Sequence, residues 1–326
     1  MNDPFPPLPL ARYRFDWEVV TPLRLPEYAG SALRGVFGAA LRRVVCLTGA
    51  DDCAGCSVLA GCPWAQVFEP PPPPPGHPVQ NFARIPVPYI VEPPLSGQRH
   101  YAPGASLTFG MVLIGQALGH LPLIILAWQR ALARGLGSAE RGTAILQRVC
   151  QLCPDGTELT IYTPTTGSIL EHQTRVIPRP TPPGLERMAL HFVTPLRLQR
   201  QGKPLGPGRL TPRDFLITLA RRVALLSEFH AGIILPLDFG ELARQATTLS
   251  CHGTLRWRDW TRWSGRQQQE MTLGGITGRW TLRGDLQPFW PLLDLGQWLH
   301  VGKNTVFGLG GYRMCEVAPR PAGGET

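Results

Sequence analysis

VTPLRL occupies Val20 to Leu25 and recurs letter for letter from Val193 to Leu198. Six identical residues rarely recur by chance in a few hundred. The flanks agree in kind as well. RYRFDWEVV leads into the first copy and ERMALHFV into the second, and both alternate apolar with polar residues, the period of a half-buried strand. Pro22 and Pro195 mark where ladder pairing stops. Each copy is followed by a Gly-containing loop and an amphipathic helix, over 31–45 and 211–229. Thr211 is the N-cap of the second helix and Pro212 its first residue. Strand, loop and helix, twice, predict a duplicated unit.

Working outward, the second half reads strand 187–198, helix 211–229, strands 248–257 and 270–283, helix 286–299 and strand 305–317. That order is β-α-β-β-α-β, the ferredoxin-like plan. The first half fits it with insertions: strand 12–21, helix 31–45, a Cys-rich insertion 46–69, a proline run Pro70 to Pro75, strands 85–91 and 105–114, helix 121–136 and a β segment 143–163. The proline run reads as a stiff exposed spacer. The expected class is α+β, two tandem ferredoxin-like (RRM-like) domains over 1–185 and 186–326, with RPTPPGL (179–185) as linker. A sheet covered by helices on one face leaves the other free for a ligand, as in sheet-based RNA binders.

The 326 residues suffice for two cores. The start lacks the charged and apolar regions of a signal peptide, and the most apolar stretch is interrupted by Gln116, His120 and Pro122. A cytoplasmic protein with no membrane partner is expected. The net charge of +9 is uneven: residues 1–195 hold 15 basic and 13 acidic side chains, residues 196–326 hold 17 and 10. All the basic residues except Lys203 and Lys303 are arginines, which suit phosphate through their paired donors.

HVGKNTVFGLGGYRM near the C-terminus sets Gly302, Gly308, Gly310 and Gly311 around Lys303, Asn304 and Arg313, with His300 just before them. Such a loop suits a phosphate, with a cation and a group that titrates near neutrality beside it; it also suits a tight turn with His300 capping its helix. LRWRDWTRWSGRQ interleaves Arg256, Arg258, Arg262 and Arg266 with Trp257, Trp260 and Trp263. This pattern suits nucleic acid, by phosphate pairing and base stacking, or a hairpin whose tryptophans pack inward. Cys46, Cys53, Cys56 and Cys62, spaced C-x6-C-x2-C-x5-C, suit structural zinc, a four-cysteine iron–sulfur cluster (Cys62-Pro63 matches that ligation), or no metal. Cys150 and Cys153 read as incidental. No phosphate-binding Walker loop, G-x-S-x-G or H-E-x-x-H occurs, and the scattered carboxylates argue against a two-metal nuclease.

Several segments resemble one family: LRGVFGAALRRVVC, CAGC…CPWAQVFEP, MTLGGITGRW and, most specifically, LGQWLHVGKNTVFGLGGYRM. The chain is similar to the RAMP superfamily and, within it, to the CRISPR-associated endoribonucleases that process precursor CRISPR RNA, the sixth Cas family. The resemblance implies tandem RNA-binding domains and metal-independent cleavage of CRISPR repeat RNA, with retention of the mature product and association with other Cas effector subunits. The implied reaction is attack of a ribose 2′-OH on the adjacent phosphate, which needs proton carriers and a cation. Family members place a histidine near the first helix, whereas residues 26–45 here hold none. His300 beside Lys303 is the first candidate, His230 the second, and Tyr28 a partial substitute. His191 and His252, on strands, are expected to be structural. A non-catalytic RNA-binding subunit and a scaffold centred on the cysteines are the alternatives.

Overall fold

The computed structural model describes residues 5–50, 52–72, 85–137, 141–264 and 269–315, with side chains described outside 261–272. In the first half, strand β1 (Leu8–Val19) is followed by helix α1 (Gly30–Val45), a short helix α2 (Pro63–Val67), strands β2 (Tyr89–Glu92) and β3 (Ser106–Ile114), helix α3 (Leu121–Arg134), and strands β4 (Ala144–Leu152) and β5 (Glu158–Tyr162). The sheet is antiparallel in the order β2-β3-β1-β4-β5. Alternation along β1 decides its sides: Tyr13, Phe15 and Trp17 are buried, while Arg12, Arg14 and Asp16 point the other way. The buried side meets α1 and α3, with Phe37 stacked on Trp128.

The second half contains strand β6 (Arg187–Leu196), helices α4 (Pro212–Ala231) and α5 (Phe239–Thr248), strands β7 (Ser250–Ser264) and β8 (Gln269–Arg283), helix α6 (Trp290–Leu299) and strand β9 (Tyr312–Cys315). Its sheet runs β7-β8-β6-β9. Counting only the four strands of the β-α-β-β-α-β plan, both halves have the order second, third, first, fourth. The repeated hexapeptide stands at the end of the first strand of each half: it follows β1 directly in one and supplies the last four residues of β6 in the other. Leu23 and Leu25 are buried in one copy, Leu196 and Leu198 in the other. The α+β class and the tandem ferredoxin-like plan therefore hold.

Three expectations change. Helix α5 lies where no element was expected; Asp238 caps it by accepting from the Glu241 amide, and Leu242 and Ala246 form its buried stripe. The expected strand 305–317 shrinks to β9, because Asn304, Gly308 and Gly310 have positive φ and the chain between makes a 3-10 turn at Thr305–Phe307. The helix expected from residue 286 opens as a 3-10 turn, and α6 begins at Trp290. Of the proline run, residues 73–75 lie outside the described residues.

The halves share a core. Leu8, Leu10, Ile90, Val112 and Ile114 of the first sheet join Phe192, Leu219 and Trp298 of the second half. At roughly 2 kcal/mol for each buried side chain, five such residues supply an upper bound of about 10 kcal/mol. That outweighs any one polar link across the seam. The expected linker is tied down too: Arg179 donates from its amide and its Nε to Asp294 on α6, both at 2.8 Å.

Candidate nucleic-acid interface and cleavage site

A cleft of about 520 Å³ lies along the seam, between the polar face of the first sheet and α6 with the Gly-rich loop. His300 lies in its wall and is only 4% exposed. Its Nε2 is 3.0 Å from Glu92 Oε1 and its Nδ1 is 3.2 Å from the Leu309 carbonyl. Both nitrogens thus face acceptors, and only an imidazolium donates to both. Arg12 pairs with the other Glu92 oxygen at 3.2 Å, donates to the Gln297 carbonyl at 2.6 Å and lies over the Trp298 ring. Burial pushes the Glu92 pKa up, but Arg12, the His300 hydrogen bond and Arg313 outweigh it and hold the carboxyl at about 2. His300 is a tie between halves in this arrangement and presents no free ring nitrogen to the cleft.

The Gly-rich loop spends its amides inside the chain. Gly308 donates to Thr305, Gly310 to the Pro195 carbonyl and Gly311 to Thr194 Oγ1. A side chain at Gly310 would collide with the Val301 carbonyl, so this glycine serves close backbone packing. The cradle expected from Gly308, Gly310 and Gly311 is therefore not offered to a phosphate by those amides. Gly302 packs similarly against the Arg197 carbonyl, with φ +97°. Lys303 and Arg313 are exposed, and Asn304 is half-buried in left-handed backbone.

Tyr28 joins this loop to the hairpin of β7 and β8. Its hydroxyl donates to the Phe307 carbonyl at 3.0 Å, and its ring lies 5.3 Å from that of Trp260. Burial and Glu92 raise its pKa well above the ordinary 10. Trp260 is 5% exposed and packs with Leu273 and Leu309, so its face is used by the protein and not presented for base stacking. Arg258 binds Glu27 at 2.8 Å beside this cluster. Arg256 is exposed. The side chains of Arg262 and Trp263, and all of Arg266, lie outside the described residues.

The open face of the second sheet carries what the sequence reading missed. Register places Thr254, Arg279, His191 and Arg313 in one row across β7, β8, β6 and β9. Arg283 and Arg187 form a parallel row. Facing residues of paired strands share a side, and His191, Arg187, Arg279, Arg283, Arg313 and Arg256 are all exposed. None of the residues in these rows is acidic. His191 and His252, expected to be structural, are exposed here, because alternation turns them away from the helices. The signal was readable as the polar half of each strand's alternation. It required the strand register to bring the arginines together.

The face leads past Arg256, Arg258 and Trp260 to Tyr28 and from there into a groove of about 1190 Å³ beside α1. Leu23, Leu25, Val36 and Leu136 give it apolar walls; Arg24, Arg99, His100, Tyr28 and Ser31 give it polar groups. Arg24 and His100 are opposed on a short antiparallel pair between Leu23–Arg24 of the hexapeptide and His100–Tyr101. Arg24, Arg99 and His100 are exposed.

His230 stands elsewhere, in the last turn of α4. Its Nε2 donates to the Pro86 carbonyl at 2.6 Å, and its Nδ1 accepts from Gln116 at 3.3 Å. Burial holds its pKa below the ordinary 6.5, so it is a neutral clasp between halves. Cys46, Cys53, Cys56 and Cys62 are unpaired and line one small pocket of about 10 Å³, away from these surfaces. Burial raises the Cys53 pKa, reinforced by the three other thiols around it. Four soft donors suit zinc in kind and number, although among the described residues no three His, Cys, Asp or Glu are gathered closely enough to hold a metal as placed. Cys150 is buried in β4. No helix among the described residues is long and apolar enough to cross a membrane.

Comparison with known proteins gives two family matches. The family of CRISPR-associated endoribonuclease Cas6 matches residues 190–312, and a family described as an N-terminal domain matches residues 8–174. Similar solved structures include a Cas6 product complex, at 17% identity over 94% of this chain and 100% of that one, with a TM-score of 0.56. A partial Cas6-RT-Cas1–Cas2 complex is similar at 14% identity over 96% of this chain and 46% of that one, with a TM-score of 0.55. Thermus thermophilus Cas6 is similar at 17% identity over 95% and 100%, with a TM-score of 0.51. These likenesses show the fold. No curated protein matches the sequence.

Proposed function

We propose a mode of action from one premise: the chain belongs to the CRISPR-associated endoribonuclease Cas6 family and is an endoribonuclease acting on precursor CRISPR RNA. The RNA lies on the open face of the second sheet, with its phosphates paired to Arg279, Arg313, Arg187 and Arg283. The observation that carries this placement is the acid-free double row of exposed arginines. A polyanion gains most where cations are not paired at contact distance with the chain's own carboxylates. Among the described residues Arg279, Arg187 and Arg283 carry no ion pair, while Arg313, at the rim of the seam cleft, acts on Glu92 through space. By contrast, the seam cleft pairs its cations with Glu92, Glu158 and Asp294.

The reaction is attack of a ribose 2′-OH on the neighbouring phosphate. The P–O5′ bond breaks, leaving a 2′,3′-cyclic phosphate and a 5′-OH, and no metal ion takes part. The same cationic face retains the processed product, and other Cas effector subunits bind the complex from there. The cysteine quartet stands apart from this chemistry as a structural zinc site, its Sγ atoms rotating inward on binding.

Labelled cognate repeat RNA in EDTA tests the reading, with ribose or deoxyribose at the scissile position. Cleavage that persists in EDTA and stops with the deoxy sugar is expected. Binding without any cleavage turns the protein into an RNA-holding subunit, a reading favoured by the engaged state of His300 and the absence of histidine at 26–45.

A further inference from the structure

We infer that His100 is the catalytic proton carrier, acting in the groove beside α1 on a phosphate held by Arg24 and Arg99. The inference rests on the RNA-cleavage reading above and names the residue that performs it.

Four described histidines are already engaged. His120 Nε2 meets Gln66, His172 meets Tyr13 and the Leu170 carbonyl, and His230 and His300 use both ring nitrogens within the chain. Three are exposed with no ring partner among the described residues: His100, His191 and His252. His191 and His252 project from a flat sheet. Of the three, His100 is the one that lines the groove beside α1. A groove holds a nucleotide from two sides, which a proton transfer within about 3 Å requires.

The local build explains the position. The pairing of Arg24 with His100 sets their side chains on one side of a two-stranded ribbon. Arg99 Nε donates to the Leu25 carbonyl at 3.3 Å, which fixes the guanidinium at the rim. Across the groove, Ser31, Ala32 and Val36 of α1 form the opposite wall. The hairpin arginines reach the rim through Arg258 and Glu27, and Trp260 touches Tyr28. An RNA strand on the sheet face therefore arrives at His100. The histidine missing from the first helix is supplied by the strand that faces it.

The step balances without any co-reactant. Neutral His100 takes the 2′-OH proton as the 2′ oxygen bonds to phosphorus. Arg24 and Arg99 neutralise the phosphorane. The P–O5′ bond breaks with its electron pair on O5′, which receives the proton from the imidazolium. Tyr28 does not compete for this role, since its hydroxyl is committed to Phe307.

The test is single-turnover cleavage in EDTA by wild type, His100→Ala, His100→Gln and His300→Ala. Removing a general acid–base group costs about 10² to 10⁴ in rate. His100→Ala is expected to lose at least about 100-fold with RNA Kd changed less than about threefold, and to regain part of its rate in added imidazole. A substrate with a 5′-bridging sulfur, whose leaving group needs no proton, is expected to narrow the gap. His100 is exposed, so unchanged thermal melting of the variant serves as the folding control. Wild-type cutting with equal cutting by His100→Ala overturns this assignment and leaves the RNA-processing reading standing. Loss in His300→Ala with imidazole rescue there, and none in His100→Ala, overturns it in favour of His300. RNA left uncut by wild type defeats the enzyme reading, and this assignment with it.

Discussion

Glu92 and His300 meet across the seam, with Oε1 and Nε2 3.0 Å apart and both side chains largely withdrawn from water. His300 follows α6 with φ +55° and ψ 172°, a backbone state that costs a non-glycine residue about 1–3 kcal/mol. The surrounding contacts offset that cost: Glu92, the Leu309 carbonyl and the packing of Gly311 against the imidazole. The carboxylate is held at about 2 against an ordinary 4.5. Its contribution is therefore complete above pH 4.5 and is lost as pH falls from there towards 2. Melting temperature of the wild type is expected to drop across that window. Glu92→Gln is expected to be less stable at pH 7, by roughly 2 kcal/mol, and to show a flatter profile below pH 4.5. Parallel profiles for the two proteins would remove Glu92 from this role.

Gly30, at the start of α1, has no room for a side chain: a Cβ there would collide with the Phe307 carbonyl, the group that also accepts from Tyr28. Gly30→Ala must push α1 off the Gly-rich loop. Overpacking of this kind costs about 1–3 kcal/mol. The expected result is a lower denaturation midpoint together with slower cleavage, since α1 borders the groove. Gly35→Ala serves as comparison, because nothing lies within 4 Å of its added methyl and helix propensity favours alanine. A destabilised Gly35→Ala with an intact Gly30→Ala would contradict the packing.

Arginines that pair with RNA phosphate reveal themselves in salt dependence. Each phosphate contact contributes about 0.7 to the slope of log affinity against log salt for a single strand. Arg279→Ala combined with Arg313→Ala is expected to lower that slope by about 1.4 and to weaken binding at every sequence tested. Arg213→Ala, exposed on α4 of the opposite side of the sheet, is expected to leave the slope unchanged. Equal slopes in all three proteins would move the RNA off this face.

The plan of the fold was legible because period-2 and period-3.6 patterns are local. VTPLRL marked the end of both first strands, and the Thr211 cap and Pro212 placed the start of α4 within a residue. Helix α5 escaped because its buried stripe is two residues, Leu242 and Ala246. The site was less legible. The tryptophan and glycine motifs drew attention through composition, yet Trp260 and Gly310 serve packing. Arg24, Arg99, His100, Arg279 and Glu92 are unremarkable in sequence. They gain meaning only from pairings 74 to 208 positions apart, such as Arg99 with Leu25, Arg24 with His100 and Glu92 with His300. One local clue existed: the hexapeptide put an arginine between two buried leucines in both copies. In the second copy Arg197 donates to the Gly274 carbonyl, whereas in the first Arg24 faces the groove.

The cysteine quartet makes a prediction separable from RNA chemistry. Among the described residues of 46–62 there is one 3-10 turn, and Cys53 and Cys62 are the hydrophobic contacts by which they reach the first core. A segment with so little apolar packing gains most from a cross-link through metal. All four thiols line one pocket, and four soft donors complete a tetrahedral zinc site. Purified protein is therefore expected to carry about one zinc per chain, and anaerobic preparations to show no iron–sulfur absorption. Cobalt substitution is expected to give the visible bands of a tetrahedral thiolate site. Cys56→Ser is expected to lose the metal and lower the melting temperature while leaving cleavage in EDTA within about threefold, since no step of the reaction uses these sulfurs. Metal-free protein with four thiols open to a titrating reagent would leave the quartet as ordinary cysteines, and a brown anaerobic preparation would replace zinc with iron and sulfide.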